Sequence, residues 1–168
     1  MDRPFPPDPT DWPPAEPSRA AEPSLVTAVL ARLEALMGLA PGDVARRRLE
    51  RHPALVARAA PRTPDIDDPA WAAVIHAVTV QETRLFRHPA QCLTLDAEVL
   101  PALIAAAQGR GAQRLRLLSA GCATGEEAWT LAALAQDAIA HSRARQGCEV
   151  LGLDLSRPAL RIAAGAQY

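Results

Sequence analysis

The chain contains no lysine. All 18 of its basic residues are arginine and 19 residues are acidic, so its 168 residues carry a formal net charge of −1. That balance excludes the basic footprint of a general nucleic-acid binder. The arginine-only usage, with abundant alanine and proline, reads as coding bias rather than chemistry. Cysteine is scarce: Cys92, Cys122 and Cys148 share no paired metal spacing. Being odd in number, and without a secretory hydrophobic leader, they make no disulfide scaffold. His52, His76, His88 and His141 also lack ligand spacing, and no metal is expected. No apolar run reaches the roughly 18 residues of a membrane span. The expectation is a soluble, cytoplasmic protein.

What the chain has is unevenly laid out. Half of its 16 prolines fall in the first 24 residues, where hydrophobic periodicity is missing. Residues 1–24 are expected to be a disordered Pro-rich tail, either an unselected leader or a ligand for a proline-binding partner. From Ser24, a candidate N-cap, Leu25, Val29, Leu33 and Leu36 recur at helical spacing up to Gly38. A second short helix is expected from Asp43 to Arg51. Its Arg46, Arg47, Arg48 and Arg51 form either a solvated face or a basic surface for an acidic helical partner. Pro53, Pro61, Pro64 and Pro69 read as a connector. It ends at Asp68, placed to cap a helix with Pro69 at its first position and Trp71, Val74, Ile75 and Val78 in one stripe. Residues 78–89 are polar and suit a site-lining loop. Pro89 to Gln108 reads as a helix interrupted before Pro101.

Then the period changes. Arg114–Ser119 and Glu149–Asp154 read as strands around a helix from Glu126 to about His141, a βαβ unit opening a doubly wound parallel sheet. Between the first strand and the helix, Gly121 and Gly125 allow a tight turn and close approach to a ligand. The turn lacks both the three-glycine dinucleotide pattern and the Lys-Ser/Thr pair of a phosphate loop. Glu126 and Glu127 open the helix, where acids are normal for dipole reasons alone. Beside the turn, however, two carboxylates repel a pyrophosphate and attract an ammonium or sulfonium. Asp154 ends the second strand, where an acid binds both ribose hydroxyls of a nucleoside. Its rival role is to cap the next helix, though Ser156 could do so. Ribose with positive charge describes S-adenosylmethionine.

These residues carry a resemblance. Ser119 to Ala132, SAGCATGEEAWTLA, resembles the SAGCSTGEEPYSLA segment of CheR-type chemotaxis receptor methyltransferases. Thr79 to Arg87, TVQETRLFR, resembles that family's TTNETxFFR segment. Leu153-Asp154-Leu155-Ser156 with Ala159-Leu160 resembles its second-strand segment. The resemblance covers roughly residues 25–168, most strongly from Thr79 on. It implies an α/β fold: a small N-terminal helical domain over 25–88, then, over 89–168, the first βαβ part of a Rossmann-like methyltransferase sheet. The implied activity is methyl transfer from S-adenosyl-L-methionine to glutamate side chains of chemoreceptors, a protein-glutamate O-methyltransferase.

Carried over by position, Gln81, Thr83 and Arg87 would lie at the cofactor, with Arg87 as the catalytic candidate. Gly121 and Gly125 would shape the cofactor turn, Glu127 or Glu126 would meet the ammonium, and Asp154 the ribose. The Arg46–Arg51 run matches the family's basic receptor-facing helix, whose partner is an acidic methylation helix. Three departures stand out: Gln81 for Asn, Leu85 for Phe, and Ala128-Trp129 for Pro-Tyr. Gln81 moves its amide out by about one bond length, roughly 1.5 Å, which is expected to weaken cofactor contact.

The family's later segment, CRNVLIYF, is not found in the chain. Two parallel strands cannot cover both sheet faces, and further crossovers amount to roughly 100 more residues. The expectation is therefore an incomplete catalytic domain. The alternative is a remnant without catalysis that acts as a receptor-binding or scaffold module.

Overall fold

The computed structural model describes residues 23–38 and 40–165. Residues 1–22 of the expected tail lie outside the described residues. The chain forms two compact units, Met1–Val80 with Leu155–Pro158, and Gln81–Asp154 with Ala159–Tyr168.

The first unit is helical. Its elements are α1 (Pro23–Met37), α2 (Asp43–Glu50), α3 (Pro53–Ala59) and α4 (Pro69–Val78). Ser24 lies inside the first turn of α1, not at its cap. Gly38 ends that helix in a left-handed conformation, its N–H bonded to Glu34 O at 2.8 Å. The segment expected as a connector holds a helix instead. Pro53 occupies the first turn, where its missing N–H costs nothing, and Val56 and Ala59 are buried. Asp68 caps α4 as expected, its Oδ1 accepting from Ala70 N at 2.8 Å and Trp71 N at 3.3 Å.

Val26, Val29, Leu33, Leu49, Val56, Trp71, Val74 and Ile75 are wholly buried in one cluster. Each such side chain stabilises by about 1.5–3 kcal/mol, so a unit this small still closes a core. The arginine run is partly consumed in building it. Arg46 donates to Thr27 Oγ1 at 3.1 Å, and Arg48 donates to Val78 O and Thr79 O at 3.3 and 2.7 Å, closing the C-terminus of α4. Arg47 and Arg51 are exposed. Leu155 packs on the same core, Ser156 Oγ lies 2.7 Å from His76 Nδ1, and Arg157 pairs with Asp67.

The second unit contains α5 (Pro89–Thr94), a π turn (Leu95–Val99), α6 (Leu100–Gly109), β1 (Arg114–Ala120), α7 (Glu126–Ser142), β2 (Gly147–Leu153) and most of α8 (Arg157–Gly165). The strands are parallel, with Arg114 opposite Gly147 and Ala120 opposite Leu153. This is the α/β arrangement expected, helices first and then the opening βαβ unit of a Rossmann-like sheet. Leu100, Ile104, Leu115, Ala135, Ala138 and Ile139 form its core. The other face of the strand pair carries Arg116 and Glu149 at 3.2 Å and then Leu118 and Leu151, 57% and 56% exposed.

The expected interruption before Pro101 is a widening of the helix. Leu100 N bonds Leu95 O, one residue further back than in an α-helix. Pro101 has no N–H to give and its ring crowds the carbonyl four residues back, and the wider turn relieves both. The helix stays continuous over Pro89–Gly109, 21 residues, and by length and composition alone it could cross a membrane. It is no unbroken apolar run, since Gln91, Asp96 and Glu98 interrupt it. The burial of Leu100, Ile104 and Ala107 gives it a place in the unit's core.

Candidate cofactor site

In-register pairing brings the carboxyl ends of β1 and β2 side by side, so the segments leaving the two strands must converge. Gly121 N and Cys122 N both donate to Leu153 O, at 2.7 and 2.9 Å, and Gly125 N donates to Cys122 O at 2.9 Å. Ala123 N donates to Asp154 Oδ2 at 2.8 Å. Gly121, Ala123 and Gly125 have φ of 80°, 48° and 102°. Two of these left-handed positions are glycine and free of Cβ strain. At Ala123 the conformation costs about 1–2 kcal/mol, and a hydrogen bond to a charged acceptor, about 1.5–3 kcal/mol, is enough to hold it.

Gly152 on β2 completes the fit. A Cβ there would stand 3.0 Å from Cys122 Sγ, so glycine lets the turn lie against the strand. Cys122 is 2% exposed. Burial, with the Asp154 and Glu127 charges adding to it, pushes its thiol above the usual 9.0, so it packs as a neutral side chain.

The two helix-opening acids differ. Glu126 Oε2 accepts from Thr124 Oγ1 at 2.6 Å, within the turn itself. Glu127 Oε1 accepts from Ser119 Oγ at 2.7 Å, and Ser119 is buried at the end of β1. Glu127 is thereby tied to the strand end. Asp154, Gly121, Gly125, Glu126 and Glu127 thus form one connected group.

The segment with Gln81, Thr83 and Arg87 reaches α7 by another route. Phe86 N donates to Thr130 Oγ1 at 3.0 Å, and Thr130 donates to Glu126 O at 2.7 Å. Arg87 Nη1 donates to Glu82 O at 2.6 Å, with Nη2 3.5 Å from Glu82 Oε1. Its guanidinium is turned onto its own loop, and an exposed pair of this kind is worth no more than about 1 kcal/mol. Gln81 and Thr83 are half-buried. Ser119, Ala123, Thr130 and Gly152 were not singled out from the sequence for this site. Only Ser119 carries a local signal, a polar residue ending an apolar strand.

The chemistry of the donors selects the ligand. Phosphates are held by free turn N–H groups, but here three of those groups are committed to Leu153 and Asp154. What the turn presents is carboxylate. This fits a nucleoside bearing a positive charge and not a pyrophosphate. An open groove of about 350 Å³ lies between α7, β2 and α8, with Ala128, Trp129 and Leu160 in its lining. Neither Glu127 nor Asp154 lines it. Among the described residues no group of three His, Cys, Asp or Glu could hold a metal ion.

A strand pair whose carboxyl ends hold a glycine turn, a strand-end acid and helix-opening carboxylates defines a Rossmann-like domain for a cationic nucleoside cofactor. Residues 81–168 match the family described as CheR methyltransferase, SAM binding domain, and the chain belongs to that family. Its cofactor is S-adenosyl-L-methionine. The chain is also 36% identical over 98 residues to chemotaxis protein methyltransferase 1 of Pseudomonas aeruginosa, covering 56% of this chain and 34% of the relative. It therefore spans about a third of that relative's length.

Proposed function

We propose that the chain belongs to a protein-glutamate O-methyltransferase acting in the cytoplasm on chemoreceptor helices, and that residues 81–168 supply its cofactor-binding part. The observation that carries this reading is the carboxylate-lined turn braced by Asp154. Bound S-adenosyl-L-methionine supplies an electrophilic sulfonium methyl to a carboxylate oxygen. Asp154 takes the ribose hydroxyls, Glu127 the ammonium, and Gly121 and Gly125 keep the backbone close, with Glu126 holding the turn through Thr124. Gln81 and Thr83 flank the methionine portion.

Arg87 swings off Glu82 to hold the substrate carboxylate, a geometry its planar fork suits. A glutamate has an ordinary pKa near 4.3 and is already anionic at neutral pH, so no general base is required. Catalysis is then chiefly alignment, bringing nucleophile and methyl to about 3 Å. The helical part, residues 25–80, docks the acidic receptor helix. Its exposed Arg47 and Arg51 lead, while Arg46 and Arg48 are engaged within the fold.

Calorimetric titration of the chain with S-adenosylhomocysteine tests the reading. Glu127→Gln and Asp154→Ala should each weaken binding by roughly tenfold or more, the loss of one charge-assisted contact. Equal affinity in both variants, or preferential binding of NAD, would sink it. Arg87→Ala should abolish methyl incorporation into a receptor fragment while leaving that affinity largely in place.

A further inference from the structure

We infer that Thr130 positions the Arg87 loop. Resting on the placement of Arg87 at the reaction, the inference assigns the hydroxyl of a helix-interior residue to holding that side chain's backbone. Arg87 lies between two residues in the left-handed region, Phe86 at φ 52° and His88 at φ 58°. Neither is glycine, and such conformations persist only where the surroundings impose them. Some restraints are local: Cys92 Sγ stands 3.4 Å from Arg87 O, Gln91 N and Cys92 N donate to His88 O, and Arg87 Nη1 donates to Glu82 O. The restraint that comes from another element is Thr130. Its hydroxyl donates to Glu126 O and accepts the Phe86 N–H, which uses its single donor and one of its two acceptor sites.

The position explains the residue type. Threonine is a poor choice inside a helix, because its χ1 is restricted and its hydroxyl competes for backbone groups. The rest of α7 is rich in Ala and Leu. Thr130 is 6% exposed, and Glu126 O already satisfies its hydroxyl as a donor within the helix. The Phe86 N–H, from 44 residues away, takes up its acceptor side. The same oxygen bonds the carbonyl of Glu126, the first residue of α7. The loop bearing Arg87 and the helix start bearing Glu126 and Glu127 are therefore joined through one atom.

The test compares Thr130→Val, which keeps the shape and removes the hydroxyl, with Thr130→Ser, which keeps the hydroxyl. Amide exchange of Phe86 is read in the full chain without cofactor, and Trp71, in the helical unit, serves as the folding control. Exchange at Phe86 should rise roughly tenfold in the Val variant and stay within about threefold of wild type in the Ser variant. Affinity for S-adenosylhomocysteine, which depends on Gln81 and Thr83 in the same loop and on Glu127 at the helix start rather than on the Arg87 side chain, should fall in Val and return in Ser. Unchanged Phe86 exchange in Val, or a Ser variant as impaired as Val, overturns the inference. So does faster exchange with undiminished affinity. A wild-type chain that binds no S-adenosylhomocysteine would instead overturn the methyltransferase reading and leave exchange to decide the positioning role.

Discussion

The helical unit and the strand-containing unit place their apolar residues differently. The first buries Trp71, Leu33, Leu49 and Ile75 outright and assembles twelve buried side chains in one cluster. The second assembles six, and leaves Leu118, Leu151, Leu153, Leu93 and Trp129 roughly half or more exposed. Helices of seven to fifteen residues can enclose a core by local packing. A parallel strand pair has two faces to cover and here covers one. Stability should therefore be concentrated in the helical unit, and the site should sit on the looser one.

The largest test of that contrast is Trp71→Ala. Removing the biggest fully buried side chain should cost about 3–5 kcal/mol, read from urea unfolding followed by helix signal. A loss below about 1 kcal/mol would break the picture of a closed helical core.

Next is Asp68. Burial alone would raise its carboxyl. The hydrogen bond from Arg62, those from Ala70 and Trp71, and the Arg62 charge outweigh that and leave it below the ordinary 3.8. A depressed carboxyl contributes stability above its ordinary value and loses it as pH falls through the folded value. The helical unit should therefore weaken from about pH 4 downward. Asp68→Ala should cost about 1 kcal/mol near neutrality and remove that acid sensitivity.

The strand unit should fail at the other end. Burial raises the thiols of Cys122 and Cys148 above 9.0. A raised thiol stabilises the fold below its ordinary value and stops doing so as pH climbs through the folded one. Amide exchange in β2 should thus quicken above about pH 9 before that in α4 does. Smallest of all is Leu118→Ser on the open strand face, expected to change stability by no more than about 0.5 kcal/mol. A larger loss would mean that something covers that face, and sedimentation against concentration would show whether it is a second copy of the chain.

Much of this was legible in the sequence, for reasons visible residue by residue. Asp68-Pro69 announces a helix start by local chemistry alone, and β1, α7 and β2 follow from periodicity and a glycine turn. That Gly121, Gly125, Glu126 and Glu127 share one connection was readable because their geometry is local. That Asp154 follows directly on a strand was readable from the apolar run before it. Ala123, Thr130 and Gly152 were not, since each matters through a partner about 30 or more residues distant in chain order. Helix α3 was missed because four prolines in one stretch look like breaks, although a proline in a first turn is compatible with helix. The fate of the arginine run was hidden for a similar reason. Whether Arg48 faces solvent or the end of α4 depends on a helix 30 residues on.

The π turn at Leu95–Val99 has a consequence for how the long helix tolerates change. Each residue advances a helix by about 100°, so one extra residue in a turn resets the angular phase of everything after it. Two apolar tracks lead on from the π turn, Leu100–Ile104–Ala107 within α6 and Val99–Leu103 starting at the turn's last residue, and the first is buried while the second stays exposed. The widened turn selects between them. Winding residues 95–99 as an ordinary α-turn at unchanged length would advance everything after them by one residue's angle and carry the second track inward, whereas deleting one of the five removes the extra residue with the widening and leaves Leu100, Ile104 and Ala107 where they are.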